Sequence, residues 1–340
     1  MFFSKLPKPF IIAEMSGNHN QSLDRALEIV DAAASTGAHA LKLQTYTADT
    51  ITMRGVHRIN DKNSLWNGEE LYDLYAKAYT PWDWHKAIFD RAKSHGMIAF
   101  SSPFDESSVD FLETLDVPLY KIASFENTHH PLLRKVAATG KPVIMSTGVA
   151  SLEDIEESVA VLKSAGVKEL VLLKCTSTYP ATAENTNLLT IPFLKEKFGC
   201  IIGLSDHTMG IGVSVAAVAL GAEVIEKHFT IRRADGGVDS AFSMEPDEMK
   251  SLVKECSNAY FALGHIQLEI QTAEEKSILY KRSIYASRDI AAGEILNSEN
   301  LRIIRPALGL APKYWIQIEG KSASRAISQG TPLSLDDVAL

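Results

Sequence analysis

Only three cysteines occur among the 340 residues, Cys175, Cys200 and Cys256, and no two of them share a CxxC spacing. That excludes a disulfide scaffold and the common structural zinc sites, and it predicts reduced thiols and a cytoplasmic protein. A basic excess is also missing. Lys and Arg number 34 against 42 Asp and Glu, a net charge of −8, so neither nucleic acid nor an anionic membrane is an expected partner. No apolar run approaches the length of a membrane span. Residues 1–10 carry two lysines and two prolines where a secretory leader would be apolar, so no leader is expected. Nothing like a GxGxxG turn follows the first strand-like run, which leaves an open doubly wound sheet as the second choice of fold.

What remains is an ordinary core-forming composition, 46% hydrophobic and 22% charged, of a size for one large domain and a small one. Short apolar, β-branched runs alternate with amphipathic helical stretches: FIIAEMS, ALKLQTY, MIAFSSP, PLYKIAS, KPVIMST, ELVLLKC, CIIGLSD and EVIEKHF. Helices are predicted over 24–36, 82–95, 106–115, 132–139, 152–165, 188–198, 213–220 and 246–263. Eight such units in about 260 residues predict an α/β fold, a closed (β/α)8 TIM barrel over 1–270. A polar linker follows over 271–281. From 282 to 340, short alternating strands with AAGE and SQGT turns form a small β-rich domain.

One connection is longer than a barrel needs. Residues 47–80, after the second strand, contain LWNGEELYDLY. Its tyrosines, tryptophan and leucines fit an ordered lid over the barrel's top face better than a disordered insertion.

The chemistry is carried by strand ends. GLSDHT and IEKHFT, one unit apart, each place a histidine just beyond an apolar run. Successive parallel strands lie side by side, so His207 and His228 converge, and two imidazoles with oxygen ligands suit a divalent transition metal. A single histidine at a strand end would read as a local hydrogen-bonding group; the matched pair favours a metal. The same rim carries Glu14, Asn18 and His19, Lys42 and Gln44, Ser101 and Ser102, Lys121, Ser124 and Glu126. It continues with Ser146, Thr147, Thr176, Ser177, Tyr179, Ser205 and Glu226. Lys42 and Lys121 interrupt apolar runs, where a charge is costly without a partner. A phosphate dianion held by lysines and hydroxyls would be that partner. A strand-end lysine could instead form a Schiff base.

Read together, FIIAEMSGNH, LKLQTY, YKIASFE, MSTG, CTSTYP, GLSDHT and IEKHFT resemble the sialic acid (nonulosonic acid) synthase family. The resemblance covers nearly the whole chain, with 282–340 similar to that family's antifreeze-like (SAF) domain. Within the family, LWNGEELYDLYAKAYTPWDW and GGVDSAFSM most resemble the branch that forms pseudaminic acid from a 2,4-diacetamido-2,4,6-trideoxy-altrose. The legionaminic and N-acetylneuraminic acid branches are the alternatives.

The resemblance implies condensation of phosphoenolpyruvate with an N-acylated amino sugar. It implies a divalent metal on His207 and His228, with Mn²⁺ expected and Co²⁺, Zn²⁺ or Mg²⁺ as alternatives. Lys42, Ser102, Lys121, Ser124, Ser146 and Ser205 match positions that bind phosphoenolpyruvate. Ser177 stands where the family usually has asparagine, which weakens its assignment to the same group. Glu126 is implied to handle the attacking water and Glu14 to stabilise developing positive charge. Gln44, Tyr179 and Asp239 match sugar contacts. Arg305 matches an arginine reaching the sugar's N-acyl group from the other subunit of a domain-swapped homodimer; by its own sequence context it is a surface residue. Two other classes are weighed against this reading, a Schiff-base nonulosonate lyase and a glycan-binding protein.

Overall fold

The strands β1 (Phe10–Glu14), β2 (Ala40–Thr45), β3 (Ile98–Pro103), β4 (Tyr120–Ile122), β5 (Val143–Ser146), β6 (Leu170–Cys175), β7 (Ile201–Asp206) and β8 (Val224–His228) are all parallel. They pair in chain order, and β8 returns to β1 to close the barrel. The computed structural model describes residues 1–62 and 64–339. They fall into two compact units, Met1–Gly264 and His265–Leu340.

Side-chain parity along the strands explains the barrel. Residues two apart face the same side of a strand. Phe10 and Ile12, Ala40, Phe100, Leu119, Ile144, Val171 and Leu173, and Val224 fill the interior as one apolar cluster, plugged from below by Phe3. Continuing at the same parity, the upper interior positions are Glu14, Lys42, Ser102, Lys121, Ser146, Cys175, Ser205, Glu226 and His228. On each strand the first polar group above the plug is therefore the next inward position after an apolar residue or glycine, and on β8 a second one, His228, follows Glu226. Gly203 marks the tightest point of the interior. A Cβ there would overlap Val224 O and meet Leu173 Cδ2 at 2.6 Å.

The opposite parity (Ile11, Leu41, Ala99, Val143, Leu172, Leu204, Ile225) packs against the helices in a second, larger cluster. Those helices are α1 (Leu23–Ser35), α2 (Ala48–Ile51), α3 (Leu71–Ala78), α4 (His85–Ser94), α5 (Glu106–Thr114) and α6 (His130–Ala138). The series continues with α7 (Leu152–Ser164), α8 (Thr190–Phe198), α9 (Gly212–Ala219) and α10 (Pro246–Leu263). α1 shows the usual logic. The Ser22 hydroxyl caps it by accepting from Arg25 N, and Ala26, Ile29, Val30 and Ala33 form its buried stripe. The stretch expected as one helix over 82–95 begins as a 3₁₀ turn, Trp82–Trp84, before α4. The long 47–80 connection holds α2 and α3. Among the described residues, no helix is long and apolar enough to cross a membrane.

In the second unit, a 3₁₀ run (Thr272–Tyr280) leads to β9 (Ser283–Ala286), which pairs antiparallel with β10 (Leu301–Ile304). After α11 (Trp315–Ile318), β11 (Ser322–Ala323) pairs with β12 (Val338–Ala339). Ile284, Ile290, Leu296, Leu301, Ile318, Leu333 and Val338 are among the residues of its own small core.

Candidate active site

Barrel closure sets Glu14 in register with both Lys42 on β2 and His228 on β8. Lys42 Nζ lies 2.5 Å from Glu14 Oε2 and 3.6 Å from Glu226 Oε1, and it donates to Ser102 Oγ at 3.4 Å. Lys121 Nζ is 3.5 Å from the same Glu226 oxygen, which also accepts from Ser205 Oγ at 3.2 Å. Gln44 Nε2 donates to Glu14 Oε1 at 3.0 Å. All four charged groups are buried.

Burial opposes charge on Lys42, but Glu14 and Glu226 outweigh it and hold the ammonium above its ordinary pKa. Burial, reinforced by the neighbouring Lys42, pushes Lys121 down despite Glu226. Burial pushes Glu14 up, against the pull of Lys42. Glu226 Oε2 and Ser146 Oγ are buried without a hydrogen-bond partner. Buried polar atoms are normally satisfied, so these two are open to a polar ligand.

Beside the lysines, the turn after β5 supplies a small cradle. Gly148 N donates to Ser124 Oγ at 3.2 Å, and Asn127 Nδ2 donates to Gly148 O at 3.0 Å. A Cβ at Gly148 would overlap Ser177 Oγ and come within 2.7 Å of Ser124 Oγ. Ser124 and Ser177 therefore converge around a position where no side chain fits.

His207, just past β7, donates Nδ1–H to Thr176 O at 2.9 Å, which leaves Nε2 as its lone-pair nitrogen. The His207 and His228 ring centroids are 5.3 Å apart. A metal about 2.1 Å from a ring nitrogen stands roughly 3 Å from the ring centre, so rings at this spacing can share one ion. Burial, then the charges of His207, Lys42 and Lys121, hold His228 far below its ordinary pKa and keep it neutral, as a ligand must be. Burial opposes protonation of His207, yet its contacts with Cys175 and Thr176 O raise its pKa. A cation on Nε2 would displace that proton. His228 Nδ1 is buried without a hydrogen bond, 3.8 Å from Asp239 Oδ2. Among the described residues, no three His, Cys, Asp or Glu side chains form a complete cation site. The two imidazoles fit a metal whose remaining ligands are water and substrate.

Asp239 accepts a hydrogen bond from Ser16 Oγ, and burial raises its carboxyl pKa. Tyr179 stacks obliquely against His207 with centroids 4.5 Å apart. Glu126 Oε2 is buried and unpartnered, and burial pushes this carboxyl up to about 7 against the pull of Lys121. Glu14, Lys42, Gln44, Ser102, Lys121, Ser205, Glu226, His207, His228, Tyr179 and Asp239 are thus brought together through contacts at one barrel end. Ser124, Ser146, Ser177 and Glu126 border them. Arg305 belongs to the second unit, where it is exposed just after β10.

Sequence reasoning gave no role to Glu226, which both lysines approach, although it shares parity with His228 two residues on. It also read Cys175 only as a reduced thiol. That side chain faces inward, and burial is overcome by its hydrogen bond to His207, which helps to bring the thiol down to about 6. Inward parity with Leu173 was the available signal.

Residues 29–267 match the NeuB family and residues 281–339 the SAF domain. The pseudaminic acid synthase of Campylobacter jejuni subsp. jejuni serotype O:2 is 44% identical over 336 residues, 98% of each chain. The N,N'-diacetyllegionaminic acid synthase of the same organism is 37% identical over 324 residues, 94% of this chain and 97% of that one. The crystal structure of the N-acetylneuraminic acid synthetase from Leptospira borgpetersenii, in complex with citrate, superposes with a TM-score of 0.71. It is 36% identical and covers 81% of this chain and 91% of that one. Eight parallel staves, two buried lysines and a histidine pair at their ends, and these matches over most of the sequence make this chain a member of the NeuB family with a C-terminal SAF domain.

Proposed function

We propose that this protein is a pseudaminic acid synthase. It condenses phosphoenolpyruvate and water with 2,4-diacetamido-2,4,6-trideoxy-altrose, giving a nine-carbon nonulosonic acid and inorganic phosphate. The observation that carries the proposal is the neighbourhood of a 5.3 Å histidine pair and two buried lysines that share Glu226. It supports a reading with an electrophile site beside an anion site.

Lys42 and Lys121 hold the phosphate and carboxylate of phosphoenolpyruvate, with Ser102, Ser124, Ser146, Ser177 and Ser205 donating hydroxyl bonds. Gln44, Tyr179 and Asp239 orient the open-chain sugar so that its aldehyde carbon faces C3 of the enol phosphate. C3 attacks that carbon, the new C–C bond forms as the carbonyl π pair moves onto the aldehyde oxygen, which takes up a proton to become a hydroxyl, and positive charge develops at C2. Glu14 lies close enough to this pocket to stabilise that charge. Glu126 takes a proton from the water that adds to C2, and phosphate then leaves with its bridging oxygen. Fixing both substrates in contact can lower the barrier by about 7 kcal/mol or more. A divalent metal on His207 and His228, Mn²⁺ in this proposal, supplies Lewis-acid polarisation of the aldehyde oxygen. The proposal includes a cytoplasmic, domain-swapped homodimer in which Arg305 completes the partner's sugar site.

One observation favours a different reading. Burial and Lys42 hold Lys121 below its ordinary pKa, as a Schiff-base lysine of a nonulosonate lyase requires. Borohydride trapping with pyruvate that resists chelators would support the lyase.

The decisive experiment offers phosphoenolpyruvate and Mn²⁺ with the altrose derivative, its manno isomer, or N-acetylmannosamine, and measures phosphate. Release with the altrose derivative is expected. Release only with the manno isomer would overturn the pseudaminate assignment.

A further inference from the structure

Asp239 is held at two points by the turn that follows β1. Ser16, two residues beyond that strand, donates its hydroxyl to Asp239 Oδ2 across 223 positions of sequence. Ser243 Oγ donates to the backbone oxygen of Asp239 at 2.6 Å. Asn18 Nδ2 donates to that same Ser243 Oγ at 2.8 Å and to Phe229 O at 2.9 Å. The backbone of the segment is thus anchored through Asn18, and the carboxylate separately through Ser16.

The two oxygens of this carboxylate are not equivalent. Oδ2 accepts from Ser16 and stands 3.8 Å from His228 Nδ1, too far for a hydrogen bond. No described residue donates to Oδ1. It is the acceptor left over for a hydroxyl or an amide N–H of a ligand.

The contact comes with an unusual backbone. Ser16 is buried and lies in the left-handed region, at φ 49°. A Cβ crowds the following carbonyl oxygen in that conformation, so residues other than glycine are disfavoured. Glycine would relieve the turn and lack the hydroxyl. Strained residues persist where their surroundings over-determine them, and they cluster at ligand sites. At Ser16 the contact that the strain accompanies is the bond to Asp239.

We propose that Ser16 is a positioning residue for sugar binding: its hydroxyl holds Asp239 Oδ2 so that Oδ1 is turned towards the open-chain sugar. This inference rests on the proposed contact between Asp239 and the sugar. Because Asn18 and Ser243 hold the backbone of Asp239 independently, losing the Ser16 hydroxyl frees only the carboxylate to rotate.

Two substitutions separate the hydroxyl from the strain. Ser16→Ala and Ser16→Gly both remove the hydroxyl, but only the alanine keeps a Cβ in the left-handed turn. Each is assayed with the sugar that gives phosphate release from the wild type, varying one substrate at saturating levels of the other and of Mn²⁺. Thermal melting checks that each variant is folded, and electron paramagnetic resonance measures Mn²⁺ affinity. The sugar's KM should rise about tenfold in both variants, as expected for losing a hydrogen bond to a charged group. The KM for phosphoenolpyruvate and the Mn²⁺ affinity should not change. Asp239→Asn should also raise the sugar's KM, and Ser16→Ala added to it should raise it no further.

If Asp239→Asn raises the sugar's KM and the Ser16 variants do not, the inference fails while the sugar contact stands. A sugar KM unchanged in Asp239→Asn removes the contact on which the inference rests, whatever the Ser16 variants do. A defect confined to Ser16→Ala would follow the backbone strain, and one shared equally by both substrates and Mn²⁺ would follow a general loosening of the site. Either overturns the proposal.

Discussion

Lys227 Nζ lies 3.0 Å from Asp206 Oδ2, and each residue immediately precedes one of the two site histidines, His228 and His207. Asp206 and Lys227 are paired across β7 and β8, and both are buried on the helix-facing side of the barrel. Lys227 also donates to Thr208 O at 2.6 Å and Gly210 O at 2.9 Å, while Asp206 accepts from Ser214 Oγ at 2.6 Å. The loop carrying His207 is therefore wrapped around the strand neighbour of His228. Replacing Lys227 by Met would leave Asp206 buried and unpaired, at a cost of about 3–5 kcal/mol. With the loop released, Mn²⁺ affinity should fall about 10- to 100-fold. Adding Asp206→Asn should recover part of the stability without restoring the affinity. Chemical denaturation and Mn²⁺ titration by electron paramagnetic resonance measure the two separately. Unchanged Mn²⁺ affinity in a folded variant would make the ion pair purely structural.

His207→Ala and His228→Ala should each abolish stoichiometric Mn²⁺ binding. Chelation of the wild-type enzyme should stop phosphate release, and added Mn²⁺ should restore it. Turnover that survives EDTA would remove the imidazole pair from the mechanism.

Glu126 predicts an acid limb in the rate profile. Its carboxyl is neutral below, and ionised above, a pKa pushed up to about 7. A group that takes a proton from water must be ionised, so kcat/KM should decline as pH falls through 7. Glu126→Gln should lower the rate about 10²- to 10⁴-fold and remove that limb. A limb that persists in the variant belongs to another group.

Stability should also respond to acid through His19 and His85. His19 Nε2 is 3.1 Å from Thr80 Oγ1, and His85 Nε2 is 2.8 Å from Thr45 Oγ1. Burial lowers each ring's pKa to about 4. Above the unfolded value near 6.5 both states are neutral and no stability is lost. Between about 6.5 and 4 the unfolded chain takes up the protons first, so stability falls by up to about 1.4 kcal/mol per pH unit for each histidine. Urea unfolding at pH 7 and pH 5 would measure this. His85→Asn should show a shallower dependence than wild type.

Gly148→Ala tests the cradle. The added methyl would overlap Ser177 Oγ and crowd Ser124 Oγ. Because small displacements of a bound reactant can cost up to about 10²-fold, the KM for phosphoenolpyruvate should rise about tenfold or more, with a smaller effect on the sugar's. Equal effects on both would place the cradle elsewhere.

Much of this arrangement is legible in local sequence. A residue's parity with its apolar neighbours tells which side of a strand it faces, so ALKLQ already turns Lys42 inward with Ala40, and LYKI turns Lys121 inward with Leu119. The same count turns Lys227 outward with Ile225. The 47–80 connection was less readable, because a segment without strand or helix periodicity gives no rule for where its side chains point. Nothing local places Trp66 6.2 Å from Tyr179, more than a hundred residues later.

The sequence by itself determined the number of strands, the order of elements and the face on which each charge stands, because those follow from periodicities of two and 3.6 residues. Only tertiary structure decided which charges meet. Pairing of β8 with β1 brings Glu14 into register with His228 across more than two hundred residues, and the same closure sets Glu226 within 3.6 Å of both Lys42 and Lys121. Contacts of that separation are fixed by closing a ring of twisted strands around a filled interior, a condition on all eight strands together and on no one of them.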